Sequence, residues 1–233
     1  MKKNHSAVFQ GLLDFIFPRL CLGCKQYLSP NERGLCTPCF VAMPFTDHFK
    51  QAQNVLQQEL VSHLPIQHAA ALSYFQKEGL VAELVHQLKY KNQPKVGHYL
   101  GRWMGAALQT SPYFKPLDGI IPVPLHPKRK RERGYNQAEL IAKALGDVIQ
   151  KPLCSEFLAR AVYTPPLALA NQGNRWKIIK NAFVPQDAIR GQTGHFLLVD
   201  DVVTTGATLT ACAQALLLHS KIKLSIAVVG YRF

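Results

Sequence analysis

Four cysteines near the start of the chain have a spacing that suits a metal ion. They form two C-x-x-C pairs that are separated by eleven residues. Two such pairs joined by a short loop can place four thiolates around one tetrahedral ion. Because cysteine fills all four positions, no coordination site is left open for catalysis. We therefore predict a structural Zn²⁺ ion, with the ligands Cys21, Cys24, Cys36 and Cys39.

Two other interpretations of these cysteines are weaker. A pair of disulfides would be reduced in the cytosolic environment that we expect for this chain. A thioredoxin-like redox motif needs a strand-to-helix junction, and neither pair follows a predicted strand. The remaining cysteines, Cys154 and Cys212, stand alone. Cys212 lies in an apolar helical segment and is predicted to be a small core residue.

A second segment, residues 196–210 (FLLVDDVVTTGATLT), combines residue types that suit a sugar phosphate. An apolar strand leads into Asp200 and Asp201, and a short turn then leads into a helix. In a parallel sheet this junction lies at the carboxyl edge, where ligands bind. Backbone N–H groups of the turn and the helix N-terminus suit a phosphate, and Gly206 permits close approach. The two carboxylates could accept hydrogen bonds from a sugar diol, directly or beside Mg²⁺.

This segment resembles the 5-phosphoribosyl-1-pyrophosphate (PRPP) motif of type I phosphoribosyltransferases. That motif consists of four hydrophobic residues, two acids, two hydrophobic residues and T-T-G-A/S-T, and FLLVDDVVTTGAT matches it throughout. The resemblance implies that Asp200 and Asp201 hold the ribose hydroxyls, with Mg²⁺ bound together with PRPP. It also implies that the 5′-phosphate is held by Thr204, Thr205, Gly206, Ala207 and Thr208.

A third segment, IPVPLHPKRKRERGYNQAELIAKALG, narrows the family. Together with the four cysteines before it and the PRPP motif after it, this segment is similar to the ComF family of competence-associated proteins. The resemblance extends from about Leu13 to Tyr231. It implies a zinc ribbon joined to a type I phosphoribosyltransferase-like domain with a parallel α/β sheet. In that layout, residues 122–136 form the loop that faces pyrophosphate.

Five cations within six residues of this loop are candidates for binding a polyanion. A run of charge is commonly a solvated face. This run, however, follows a predicted strand and precedes a predicted helix, at the ligand edge of the sheet. Pyrophosphate or a nucleic-acid backbone would be a natural counter-charge there. Tyr135, next to the run, could stack on a base or pack internally. The five cations are Lys128, Arg129, Lys130, Arg131 and Arg133.

The segment before the PRPP motif departs from the family pattern. Thr164 and Arg175 match a mobile loop that closes over pyrophosphate in transferases. Leu167, Ala170 and Ile178 stand where the pattern has Gln, Leu and Asn. The loss of two polar groups is compatible with PRPP binding and weakens the case for turnover.

Beyond these motifs, the chain from Ala69 onward alternates segments with strand and helix patterns. This alternation predicts a mainly parallel sheet with helices on both faces. We predict three parts: an amphipathic segment and zinc-ribbon module (1–46), a Gln-rich connector (47–66) and a phosphoribosyltransferase-like domain (67–233).

Composition limits the function classes. The chain has 233 residues, 48% of them hydrophobic, which suffices for a globular core. A net charge of +13 favours a polyanionic partner. No segment is long and apolar enough to span a membrane. The first seventeen residues resemble a signal peptide only superficially, because Gln10 and Asp14 interrupt the apolar run. We therefore expect a cytoplasmic protein.

Three functions remain open at this point. The first is phosphoribosyl transfer from PRPP to an unidentified acceptor. The second is handling of single-stranded DNA during natural transformation, with PRPP bound but not transferred, together with other DNA-uptake or recombination proteins. The third is regulation through PRPP sensing. The charge and the family resemblance favour the second.

Overall fold

The computed structural model describes residues 18–114, 116–163 and 181–232. The chain divides into two compact units after Met43. The amphipathic helix predicted near the N-terminus lies outside the described residues, and the division at residues 46 and 66 stays a prediction. Among the described residues, no helix combines the length and apolar character that a membrane crossing requires.

The described part of the first unit, residues 18–43, contains two isolated β-bridges and one helix. Isolated β-bridges join Leu20 to Tyr27 and Arg33 to Leu35. The helix α1 (Thr37–Val41) begins directly after Cys36 and has a proline in its first turn, where the missing N–H costs nothing.

The second unit is an α/β fold, as predicted. Its helices are α2 (Val55–Val61), α3 (Leu80–Tyr90), α4 (Pro94–Thr110), α5 (Pro127–Arg133), α6 (Gln137–Ile149) and α7 (Ala207–Leu218). Its strands are β1 (Ala69–Tyr74), β2 (Gly119–Pro122), β3 (Leu158–Arg160), β4 (Phe183–Pro185), β5 (Thr193–Val203) and β6 (Lys221–Tyr231). Short 3₁₀ helices span His48–Lys50, Ser155–Phe157 and Asp187–Ile189.

Four strands form one parallel sheet in the order β1-β6-β5-β2. The two inner strands are apolar through most of their length, as expected for strands covered on both faces. Pro122 at the end of β2 pairs with Val199 of β5, and the N–H of Val123 donates to the carbonyl of Val199. The chain that leaves β2 therefore runs beside Asp200 and Asp201.

Three segments have structure that the sequence-based expectations did not specify. Within the 122–136 loop, residues 127–133 form a short helix. The strand β3 does not join the predicted parallel sheet and pairs antiparallel with β4 instead. The predicted connector contains α2, whose buried residues Leu56 and Leu60 belong to the core of the second unit. Burial of these leucines stabilises a helix that is too short to persist alone.

Candidate functional site

The four predicted metal ligands are brought together. The sulfur atoms of Cys21, Cys24, Cys36 and Cys39 all lie within 4.8 Å of one another, and all four cysteines are free thiols. The Cys24 and Cys36 sulfurs are 3.6 Å apart. Tetrahedral Zn²⁺ with Zn–S bonds of about 2.3 Å needs sulfurs about 3.8 Å apart. The cluster can hold a metal ion and is compatible with a zinc ribbon.

The electrostatics of this cluster favour a cation. Burial raises the pKa of Cys21, but N–H groups of Cys36, Cys24 and Gly23 oppose it and bring the pKa down to about 6. Burial and the neighbouring thiols raise the pKa of Cys39 to about 12. Four sulfurs so close together cannot all ionise by themselves, and a bound dication removes that restriction.

The two acids of the PRPP motif lie within β5 and have different surroundings, because successive side chains of a strand point to opposite faces. The Asp201 carboxylate is buried and pairs with Lys89 at the end of α3, whose Nζ is 2.8 Å from Oδ2 and 3.0 Å from Oδ1. Burial lowers the pKa of Lys89, but the Asp201 carboxylate outweighs this effect and raises it. Asp201 thus already has a cationic partner.

Asp200 is the more available of the two carboxylates. Its side chain is half-buried, and its Oδ1 accepts a hydrogen bond of 2.8 Å from the N–H of Asp201. Burial, followed by the negative charge of Asp201, raises its pKa to about 7, although Lys89 and Arg160 act in the opposite direction. A ligand that offers hydroxyl donors or a cation would favour the ionised form of Asp200.

The turn after β5 has the backbone geometry expected of a phosphate site. Gly206, at the N-cap of α7, has φ +67°, a conformation that residues with a Cβ rarely adopt. Thr204 and Thr205 are exposed, and Thr208 is half-buried in the first turn of α7. The first N–H groups of a helix have no partner within it. The turn can therefore offer both N–H groups and hydroxyls to an anion.

The cation run is helical because both ends of α5 are capped. His126 caps its start, accepting at Nδ1 a hydrogen bond of 3.2 Å from the N–H of Lys128, and Pro127 occupies the first turn. Gly134, with φ +86°, ends the helix. Because α5 is a helix, the five cations point to different sides of its axis. Lys130 makes an ion pair of 2.9 Å with Glu139 on α6, so it is the least available of the five.

A cavity of about 220 Å³ at the carboxyl edge of the sheet collects groups from five segments. We call it the cleft. Four cations contact it, against two carboxylates, and burial together with the charge of Arg129 lowers the pKa of Arg160. Such crowding of positive charge is favourable when an anion is bound between the cations. The charged and hydroxyl-bearing residues of the cleft are Lys89, Tyr90, Arg129, Arg133, Arg160, Asp200, Asp201 and Thr208.

The cleft includes some of the predicted site residues and not others. Arg129, Arg133, Asp200, Asp201 and Thr208 contact it. Lys128, Lys130 and Arg131 do not line the cleft, and neither do residues 204–207 of the turn. Thr164 and Arg175 lie outside the described residues.

Two cations of the cleft, Lys89 and Arg160, were not predicted from the sequence. Neither belongs to a motif, and no local signal in the sequence marks either residue. Tyr135 donates a hydrogen bond of 2.7 Å to the carbonyl of Leu88, which favours its packing interpretation over base stacking.

Comparison with known proteins adds relatives that cover most of the chain. No protein-family model matches it. It is 32% identical over 212 residues to the DNA utilization protein YhgH of Escherichia coli O157:H7, covering 86% of this chain and 91% of that protein. It is 27% identical over 222 residues to Competence protein F of Haemophilus influenzae, covering 84% and 90%. It is 30% identical over 107 residues to Competence protein ComFC of Bacillus subtilis, covering 44% and 39%. With its α/β fold, its four-cysteine cluster and these relatives, the chain belongs to the ComF family.

Proposed function

We propose that this protein handles single-stranded DNA in a competence or DNA-utilization process and that its cleft binds PRPP. The observation that carries the proposal is the excess of cations around Asp200 and the first turn of α7. The names of the relatives, which refer to DNA utilization and to competence, support the DNA part of the proposal.

In the PRPP part of the proposal, the cleft and the turn beside it have different tasks. The turn at residues 204–208 holds the 5′-phosphate by its N–H groups and hydroxyls. Asp200 accepts hydrogen bonds from the ribose diol, while Lys89 keeps Asp201 fixed. Arg129, Arg133 and Arg160 face the pyrophosphate.

A magnesium ion fits this arrangement through Asp200. Mg²⁺ is commonly bound by one or two carboxylates together with substrate phosphates. Asp200 can serve as such a ligand because Asp201 is already paired with Lys89. When bound, Mg²⁺ would supply charge neutralisation for the pyrophosphate.

The DNA part of the proposal rests on positive charge that is not matched by nearby acids. Cations at a sheet edge bind nucleic acid chiefly through phosphates, without reading sequence. The affinity then falls steeply with salt, because each neutralised phosphate releases counterions.

DNA binding can be tested with a labelled oligothymidylate, by fluorescence anisotropy over a series of salt concentrations. Replacing Arg129 and Arg133 by Ala should weaken binding and flatten the salt slope by about 0.7 per lost contact. Lys221→Ala with Lys223→Ala is the matched control, since it removes the same charge at the amino end of β6. Equal effects of the two double variants would mean that only net charge matters and would contradict the assignment to the cleft.

PRPP binding can be tested by thermal unfolding. PRPP with Mg²⁺ should raise the melting temperature, because a ligand that binds only the native state stabilises it by mass action. Asp200→Asn should remove that increase, and Asp187→Asn, an exposed acid elsewhere in the unit, should leave it intact. An unchanged response of the Asp200 variant would show that the ligand assignment is wrong.

Phosphoribosyl transfer is the second candidate, and the guanidinium groups of the cleft favour it because they could stabilise departing pyrophosphate. Our proposal expects PRPP binding without pyrophosphate release when nucleobases are added. Steady release would instead establish the transferase. A change in DNA affinity on adding PRPP would indicate a sensor.

A further inference from the structure

Two exposed tyrosines lie beside the cation helix α5, one near each end. The Nζ of Lys128 is 4.7 Å from the ring centre of Tyr163, and the Cζ of Arg129 is 5.9 Å from it. At the other end of the helix, the Cζ of Arg133 is 5.6 Å from the ring centre of Tyr90. Each tyrosine therefore has at least one cation over its ring.

Both tyrosines line the same groove, next to the cleft. This groove has a volume of about 570 Å³, and Arg129, Arg131 and Arg133 also line it. Tyr90 is 69% exposed and Tyr163 is 37% exposed. Lys128 and Arg133 are separated by ~7.5 Å along the helix axis, at 1.5 Å per residue. The two rings and the three arginines thus lie along one groove, with a ring near each end of the helix.

Aromatic rings and cations in one groove can bind the two parts of a single strand, its bases and its phosphates. Unpaired bases stack on exposed aromatic rings, while the intervening phosphates contact Lys and Arg side chains. A cation over a tyrosine ring covers part of it and orients it, and the large exposed fraction of Tyr90 leaves ring surface for a base. In a duplex, by contrast, the base faces are already stacked on one another.

We propose that Tyr90 and Tyr163 are base-stacking residues for a single strand whose phosphates are held by Arg129, Arg131 and Arg133. This inference rests on the proposed handling of single-stranded DNA. It assigns base stacking to two residues outside the PRPP motif. Tyr135 is not assigned this task, because its hydroxyl donates a hydrogen bond to the carbonyl of Leu88.

The experiment compares two probes of equal length and charge: an oligothymidylate and the same oligonucleotide with abasic sites throughout. Tyr90→Ala and Tyr163→Ala should each weaken binding of the oligothymidylate by about 5-fold to 100-fold. Binding of the abasic probe should change less than 2-fold. Tyr90→Phe and Tyr163→Phe keep the ring and should bind both probes as the parent does. Because the tyrosines are exposed, we expect every variant to fold. The melting temperature of each variant checks this.

The outcomes separate this inference from the proposed function. If the parent binds neither probe at low salt, both are overturned. If the parent binds the oligothymidylate and the alanine variants bind it equally well, DNA handling stands and base stacking is wrong. An equal loss on the abasic probe would also overturn base stacking, because it would mean that the rings act only by orienting the cations.

Discussion

The described part of the first unit buries little apolar surface, whereas the second unit builds an extensive core around a four-strand sheet. In residues 18–43, the buried apolar side chains are Cys21, Leu35, Cys36 and Met43, while Tyr27 and Val41 are largely exposed. In the second unit, nearly every residue of β6 from Leu224 onward is buried. Units with so small a core commonly obtain their stability from a metal ion, so we expect the first unit to depend on its cysteine cluster and the second on hydrophobic burial.

The largest effect expected from this comparison is the loss of the metal. Cys21→Ser should release the ion and unfold the first unit, because small metal modules obtain about 10 kcal/mol or more of folding free energy from their ion. Elemental analysis should find one zinc per chain in the parent and none in the variant. The unfolding transition of the second unit should remain.

The control for that experiment is Cys154→Ala, which removes a buried cysteine outside the cluster. This variant should keep its zinc. If the first unit of the parent protein is folded without stoichiometric metal, the contrast between a metal-dependent first unit and a core-dependent second unit is wrong.

A smaller effect is expected from the buried ion pair in the second unit. Lys89→Met leaves the Asp201 carboxylate buried without its partner, which should lower the free energy of unfolding by about 3 kcal/mol. The double variant with Asp201→Asn should recover most of this loss. Denaturant titration measures both changes.

Lys91→Met is the matched control for the ion pair. Lys91 contacts Glu83 at 3.2 Å, but both side chains are exposed. Exposed pairs contribute little, so the change should stay within about 1 kcal/mol. Equal losses for the two lysines would mean that burial of the Asp201 pair has no special importance.

The smallest effect per residue concerns three buried histidines of the second unit, His48, His68 and His195. Burial lowers the pKa of each. The unfolded chain therefore binds protons below about pH 6.5 that the native state excludes, and stability should fall as the pH decreases. At pH 5.5 the loss is at most about 1.4 kcal/mol per histidine.

Asp200 acts with the opposite sign. Because its pKa is raised to about 7, the native state binds a proton between about pH 4 and 7 that the unfolded chain does not, which favours folding at low pH. Denaturant titrations of Asp200→Asn at pH 7.5 and 5.5 therefore isolate the histidines, provided that the zinc content is equal at both pH values. A variant that is equally stable at both would contradict the histidine assignment.

Local features of the sequence predicted the parts of the site that are contiguous in the chain. The C-x-x-C pairs have a spacing that suits four ligands, and the apolar run before Asp200 predicts a strand that delivers the acids to a sheet edge. A helix was predicted after the cation run, and Asn136 begins it by accepting a hydrogen bond from the N–H of Ala138. The helix at residues 127–133 was missed although its caps, His126 and Gly134, are local signals, because a run of cations gives no apolar periodicity and the contact of Lys130 with Glu139 depends on the packing of α6.

The sequence by itself determined which residues could bind a metal or a phosphate, because turns, caps and motif spacing are set by near neighbours in the chain. Only the tertiary structure decided which of them act together. Lys89 and Asp201 are 112 positions apart and meet because α3 packs beside the carboxyl end of β5. In the same way, Tyr90 and Tyr163 reach the ends of α5 from distant segments. Such pairings follow from the packing of apolar faces. The sequence around the polar residues does not indicate which distant residue each of them will contact.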